Sequence, residues 1–156
     1  MYFDPLLPEE TPSQPLKVKY TVSIHRAMYT DEIFEVYKRY EKAVHNRDVE
    51  PSNLKSHLCN SPVYHPEFDK EFAENHSRVD GDTLDESRSF KDEGVMVTPG
   101  SYHMYHRLDG KLVAVGNVDI MPRSLNSGYF LYDPDYRFLN LGVIGALKEI
   151  EYMRNL

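Results

Sequence analysis

The chain has 156 residues, of which 40% are hydrophobic and 28% charged, with a formal net charge of −7. That length suits one domain with a real core, and no apolar run is long enough to read as a membrane-spanning helix. The single cysteine, Cys59, excludes an internal disulfide and a thiolate metal cluster, and it reads as a small buried or half-buried thiol rather than a nucleophile. With no signal-peptide pattern after Met1, the expected compartment is the cytosol or the nucleus. The acidic balance argues against a nucleic-acid partner only until its distribution is read. Ten acids and four bases lie between Pro66 and Glu93, a net −6, so the remainder is nearly neutral and has room for a local basic face.

Residues 1–16 contain Pro5, Pro8, Pro12 and Pro15 and are expected to form a tail or linker ahead of a domain over 17–156. Lys17 to His25 alternates Val18, Tyr20, Val22 and Ile24 with polar residues, the pattern of a half-buried strand. Thr30-Asp31-Glu32 is a helix start. Ile33, Val36 or Tyr37, Tyr40 and Val44 then mark one apolar face, and Asn46-Arg47-Asp48 closes the helix. Lys38, Arg39 and Lys42 are expected on the opposite side, as a solvated face or a phosphate-touching patch. A second short helix is expected over Asn53 to Leu58, stopped by Pro62. From Pro66 no period survives, and the polar composition predicts a solvated, disordered insertion over 66–98.

Ser101 to Leu108 and Lys111 to Ile120 are strand-like runs joined by Asp109-Gly110, a two-residue hairpin turn in which both central positions favour positive φ. Tyr102, Met104, His106 and Leu108 share one face of the first run; His103, Tyr105 and Arg107 share the other. Gly116 marks a bulge or a close backbone approach. Met121-Pro122 ends the second strand, and Arg123 to Ser127 is expected to be a loop. Tyr129 to Tyr132 form a short aromatic strand, which Asp133-Pro134-Asp135 terminates. A long amphipathic helix follows, with Val143, Leu147 and Ile150, and offset from them Ile144 and Met153, at helical spacing. Amide groups at its start are natural partners for an anion or a developing oxyanion. The order strand, helix, helix, insertion, three strands, helix predicts an α+β arrangement.

Four ordered blocks resemble the C-terminal domain of the eukaryotic arginyl-tRNA–protein transferases. They are Val36-Tyr37-Lys38-Arg39-Tyr40 with Ala43-Val44-His45; Leu58-Cys59-Asn60-Ser61-Pro62; Gly100 through Pro122; and Tyr132-Asp133-Pro134-Asp135-Tyr136 through Leu141-Gly142 to Ile150. The resemblance implies a GCN5-related N-acetyltransferase-like fold, partial because the family's further C-terminal strands are missing. It implies transfer of arginine from arginyl-tRNA to the α-amine of proteins beginning with Asp or Glu, which marks them for ubiquitin-dependent degradation in the N-degron pathway. Arginyl-tRNA is then the co-substrate, with no cofactor and no metal expected in this chain. The sequence departs from the family pattern in lacking its cysteine cluster, in ending at Leu156, in Met104 where Gln is usual, and in Arg137 where a small polar residue is usual.

The reaction so implied is aminolysis of an activated ester, which needs positioning, oxyanion stabilisation and at most a modest base. On the matched positions, Asp133 and Asp135 are the candidates to bind the substrate amine or the arginyl guanidinium. Tyr132 and Tyr136 are candidates to bond the carbonyl or stack on the terminal adenine, and His103 is the candidate proton relay. Tyr102, Tyr105 and Gly142 complete the expected substrate site, while Lys38, Arg39 and Lys42 are the candidate tRNA contacts. Arg107 or Arg123 is a candidate for the acceptor's acidic side chain. The competing readings are an inactive truncated binding module of the same fold, and an acetyl-coenzyme A enzyme, which the poor phosphate loop disfavours.

Overall fold

The computed structural model describes residues 18–60, 62–63 and 99–155; the Pro-rich stretch 1–16 and the insertion expected over 66–98 lie outside the described residues. Strand β1 (Tyr20–Arg26) leads to helices α1 (Asp31–His45) and α2 (Pro51–Leu58). Strands β2 (Gly100–Leu108), β3 (Lys111–Met121) and β4 (Ser124–Tyr132) follow, then a 3-10 turn (Pro134–Leu139) and helix α3 (Leu141–Arg154). The strands form one antiparallel sheet in the order β1-β2-β3-β4. The architecture is α+β, with helices on both sheet faces.

Local chemistry explains most boundaries. Thr30 caps α1 by accepting the Ile33 amide at 3.2 Å, and Asn46 closes it in the left-handed conformation at φ 52°. Glu50 and Asn53 cap α2 reciprocally, with Pro51 at its first position, so the helix begins earlier than its apolar residues indicate. Asp109 and Gly110 adopt φ 48° and 85°, as a two-residue hairpin requires. Asp109 further ties the turn to β1, its carboxylate accepting the Lys19 amide at 2.8 Å.

On one face of the sheet, Ile33, Val36, Tyr37, Leu54 and Leu58 of α1 and α2 pack on Tyr105, Leu112, Val115 and Leu131. On the other, Ile24, Tyr102, Met104, Val118 and Ile120 form a cluster that Tyr152 of α3 covers. Two expectations fail here. Ser124–Tyr132 is a nine-residue strand joined to β3 by the two-residue turn Pro122-Arg123, with no loop over 123–127. Its first half is polar because it is an edge strand, so only Leu125 had to be apolar. In α1, Val44 is exposed and the buried position is Glu41, whose carboxylate accepts from Tyr129 Oη at 2.8 Å and pairs with Arg47 at 3.2 Å.

The third difference concerns α3. Its buried residues are Leu141, Gly145 and Glu149, while Val143, Leu147 and Ile150 are 64%, 60% and 50% exposed. The helix turns its smallest residue, not its most apolar stripe, to the sheet. A Cβ on Gly145 would lie 2.3 Å from Phe130 Cε2, so glycine permits the approach. Gly145→Ala is therefore expected to destabilise the fold by roughly 1–3 kcal/mol through overpacking, read as a lower urea midpoint at unchanged m-value.

Candidate functional site

The end of β4 and the start of α3 build a small open site from consecutive pieces of chain. Tyr132 ends β4 beside Tyr40 of α1, the rings edge-on at 5.1 Å. Asp133 then leaves the sheet, donating its amide to Val113 O at 2.8 Å. Its carboxylate is buried and accepts the Asp135 amide at 3.1 Å, which starts the 3-10 turn. Pro134 fits the first helical position because it has no N–H to lose. Asn140 closes the turn in the left-handed conformation, φ 52° and ψ 43°, and makes no side-chain cap for α3. The uncapped start of α3 borders a cavity of about 270 Å³ lined by Tyr132, Arg137, Asn140, Leu141, Gly142 and Val143. Helix-start amides and a guanidinium on one cavity favour an anionic group.

Beside this cavity lies a charge cluster that the sequence showed only in part. Asp133 Oδ2 receives Arg39 Nη1 at 2.8 Å and Lys111 Nζ at 3.1 Å, and Arg39 Nη2 reaches Asp135 Oδ2 at 2.7 Å. These carboxylates raise both cationic pKa values, Arg39 chiefly through its bond to Asp135 and Lys111 chiefly through its bond to Asp133. Lys111 also lies over the half-buried ring of Tyr136 at 4.8 Å. The consequence is a correction. Asp133 accepts from three internal donors and grips the protein's own cations where a substrate amine was expected; Asp135 is 70% exposed but shares Arg39.

The other expected residues scatter. Arg39 turns from the solvated side of α1 to the Asp pair, Lys42 pairs with Asp48 at 2.9 Å, and Lys38 is exposed. They do not form one patch. His103 is fully buried on the α2 side of the sheet, Nε2 at 2.8 Å from Leu58 O, which removes it from direct contact with a substrate. Tyr105, on the same face, is buried and stacked on His25 at 4.7 Å. Tyr102 is in the core of the opposite face, under the Arg26 guanidinium at 4.7 Å. Arg107 is occupied by Glu32 at 2.6 Å, and Arg123 sits exposed in the β3–β4 turn. The structure thus brings Tyr132 and Gly142 to one cavity and Asp133, Asp135, Tyr136 and Arg39 to the cluster beside it. Reading the sequence missed Lys111, since nothing in a hairpin's first residue points across the sheet to position 133. Arg137 stood out only as a departure from pattern. Among the described residues, no three His, Cys, Asp or Glu side chains are grouped to hold a metal, and no helix is long and apolar enough to cross a membrane.

Residues 32–156 match the family model described as "Arginine-tRNA-protein transferase, C terminus". The chain belongs to this family. It is 32% identical to "Arginyl-tRNA--protein transferase 1" of Dictyostelium discoideum, over 90% of this chain and 32% of that protein. The Drosophila melanogaster protein of the same name is 36% identical, over 79% of this chain and 21% of the relative. An "Aspartate/glutamate leucyltransferase" of Pseudomonas fluorescens is 30% identical over 72% and 47%. The chain spans about a fifth to a third of the length of the arginyl-tRNA–protein transferases it matches. Family membership covers both halves of the site, since α1, with Arg39, and the 133–142 turn both fall inside the matched residues.

Replacing Asp133 with Asn should destabilise the fold by about 1–3 kcal/mol, since a charge-assisted acceptor is lost. In a double-mutant cycle, Arg39→Gln should couple more strongly to Asp133→Asn than to Asp135→Asn, whose carboxylate is solvated. Burial also pulls His103 and His106 down to about 4. The unfolded chain then binds more protons between pH 6.5 and 4, so stability should fall as pH drops through that window. The loss is on the order of a few kcal/mol, and urea unfolding of His103→Gln and His106→Gln should each show a flatter pH profile.

Proposed function

We propose that this chain takes part in arginine transfer from arginyl-tRNA to the α-amine of proteins beginning with Asp or Glu, feeding the N-degron pathway in the cytosol or nucleus. The observation that carries the reading is the family match across 32–156. The cavity at the uncapped start of α3 supports it, because the 3′ end of a transfer RNA presents a phosphate to whatever holds it. We further infer a GCN5-related N-acetyltransferase-like fold. Its support is an antiparallel sheet whose last strand runs through a turn into a helix that packs back on the same sheet.

In this reading Arg137 and the first amides of α3 hold the terminal phosphate, and Tyr132 lines the wall against ribose or base. The Asp133 cluster positions the turn and does not touch substrate. The amine, with a reference pKa of about 7.7–8.0, needs little help to lose its proton. It attacks the ester carbonyl, and the ribose oxygen leaves. Catalysis then lies in positioning and in stabilising the oxyanion. A rival reading, an inactive binding module of the same fold, draws support from the internal partners that occupy His103, Asp133 and Arg107.

Incubation of the chain with labelled arginyl-tRNA and an Asp-initiated peptide tests this directly. Label should pass to the peptide, and Arg137→Ala should lower kcat/KM by about tenfold or more, as expected for loss of a charge-assisted phosphate contact. Salt-sensitive binding of arginyl-tRNA without transfer would favour the inactive module. No affinity for arginyl-tRNA at low salt would sink both.

A further inference from the structure

Helix α3 buries a carboxylate while it leaves its apolar stripe exposed. Glu149 is 8% exposed, although the same helix offers Val143, Leu147 and Ile150, all at least half exposed. Burying a carboxyl group in place of an available apolar stripe costs free energy, and a rule of packing broken in this way marks a site. Ser127 Oγ donates to Glu149 Oε1 at 3.2 Å, and desolvation raises the carboxyl's pKa. Room for it comes from Gly116 on β3, where a Cβ would lie 3.3 Å from Oε1.

The carboxylate borders a second cavity, about 310 Å³, formed by Leu125 and Ser127 of β4 with Glu149, Ile150, Met153 and Arg154 of α3. One wall is apolar, one contributor is a carboxylate, and the last is a cation. Ile150 lines this cavity and Val143 the first. They are seven residues apart, hence on one side of the helix and separated by about 10 Å along its axis.

We propose that this cavity takes the first residue of the acceptor protein, Glu149 binding its α-ammonium and Arg154 its acidic side chain. This deepens the transfer reading above and rests on it for the identity of the acceptor. A ligand with an ammonium and, one or two carbons further along, a carboxylate satisfies both charges at once. An arginyl group would satisfy only Glu149 and meet repulsion from Arg154, so the donor's side chain fits worse. The ammonium also relieves the carboxylate, which burial otherwise disfavours. The arrangement puts acceptor and donor along one side of α3, the amine beside Glu149 and the donor phosphate at the uncapped end.

The test is direct binding to the full chain of short peptides labelled at their C-terminus, followed by fluorescence anisotropy, with thermal melts to confirm that each variant is folded. An Asp-initiated peptide should bind at least about tenfold more tightly than its Ala-initiated or N-acetylated counterparts, a difference of about 1.4 kcal/mol. Arg154→Gln should erase the preference for Asp over Ala and keep the preference for a free amine. Glu149→Gln, which keeps the shape and relieves a buried charge, should do the reverse. Equal binding of all peptides by the parent chain, or variants that keep both preferences, would overturn the assignment. Arginyl-tRNA binding is measured alongside. Its loss with peptide selectivity intact would remove the transfer reading, while its retention with peptide selectivity absent would remove only this one.

Discussion

One buried carboxylate holds the functional end of the molecule together. Asp133 receives a guanidinium from the middle of α1, an ammonium from the first residue of β3, and an amide from the turn it begins. Lys111 reaches Asp133 because the sheet pairs β3 with β4, and Arg39 because α1 packs over that sheet. A carboxylate out of water must be paired and hydrogen-bonded, and here three donors meet that need. The direction of the chain leaving β4, and so the position of the cavity at the start of α3, depends on that demand.

The second constraint is steric. Gly145 lets α3 close on Phe130, and the helix's rotation then follows from that contact rather than from hydrophobicity. Turning the helix this way exposes Val143, Leu147 and Ile150 and brings Glu149 inward against Gly116 and Ser127. The helix thus carries a cavity at each end of one side, the first edged by amides and Arg137, the second by Glu149 and Arg154. The first end favours an anion, whereas the second, with a carboxylate and a guanidinium, favours a ligand that carries both charges.

The histidines illustrate how burial reassigns chemistry. His103 lies in a block that resembles the family and shares a strand face with Tyr105, and on that ground it reads as a candidate proton relay. In the fold its Nε2 is bound to Leu58 O and its surroundings exclude water, so it anchors the end of α2 to the sheet. His106, on the opposite face, shares a 2.5 Å hydrogen bond with Tyr20 and sits edge-on to Phe130. Both are held neutral by desolvation. Their contribution is to folding and its pH dependence.

Much of the architecture was legible in the linear chain because it follows from local rules. The cap at Thr30, the positive-φ pair Asp109-Gly110, the alternation in β1 and the break at Asp133-Pro134 each depend on neighbours a few residues away. Family resemblance was legible too, through ordered blocks, of which those in α1 and at 132–150 meet at the 133–142 turn. Tertiary structure alone decided what each charge meets. Arg39 lies 94 residues from Asp133, and the sequence read it as surface. The rotation of α3 was equally hidden, because periodicity measures apolarity while a close helix–sheet contact selects for small size. Charge pairing and steric fit act between segments distant in sequence, and those two terms decided where the candidate site is and which residues line it.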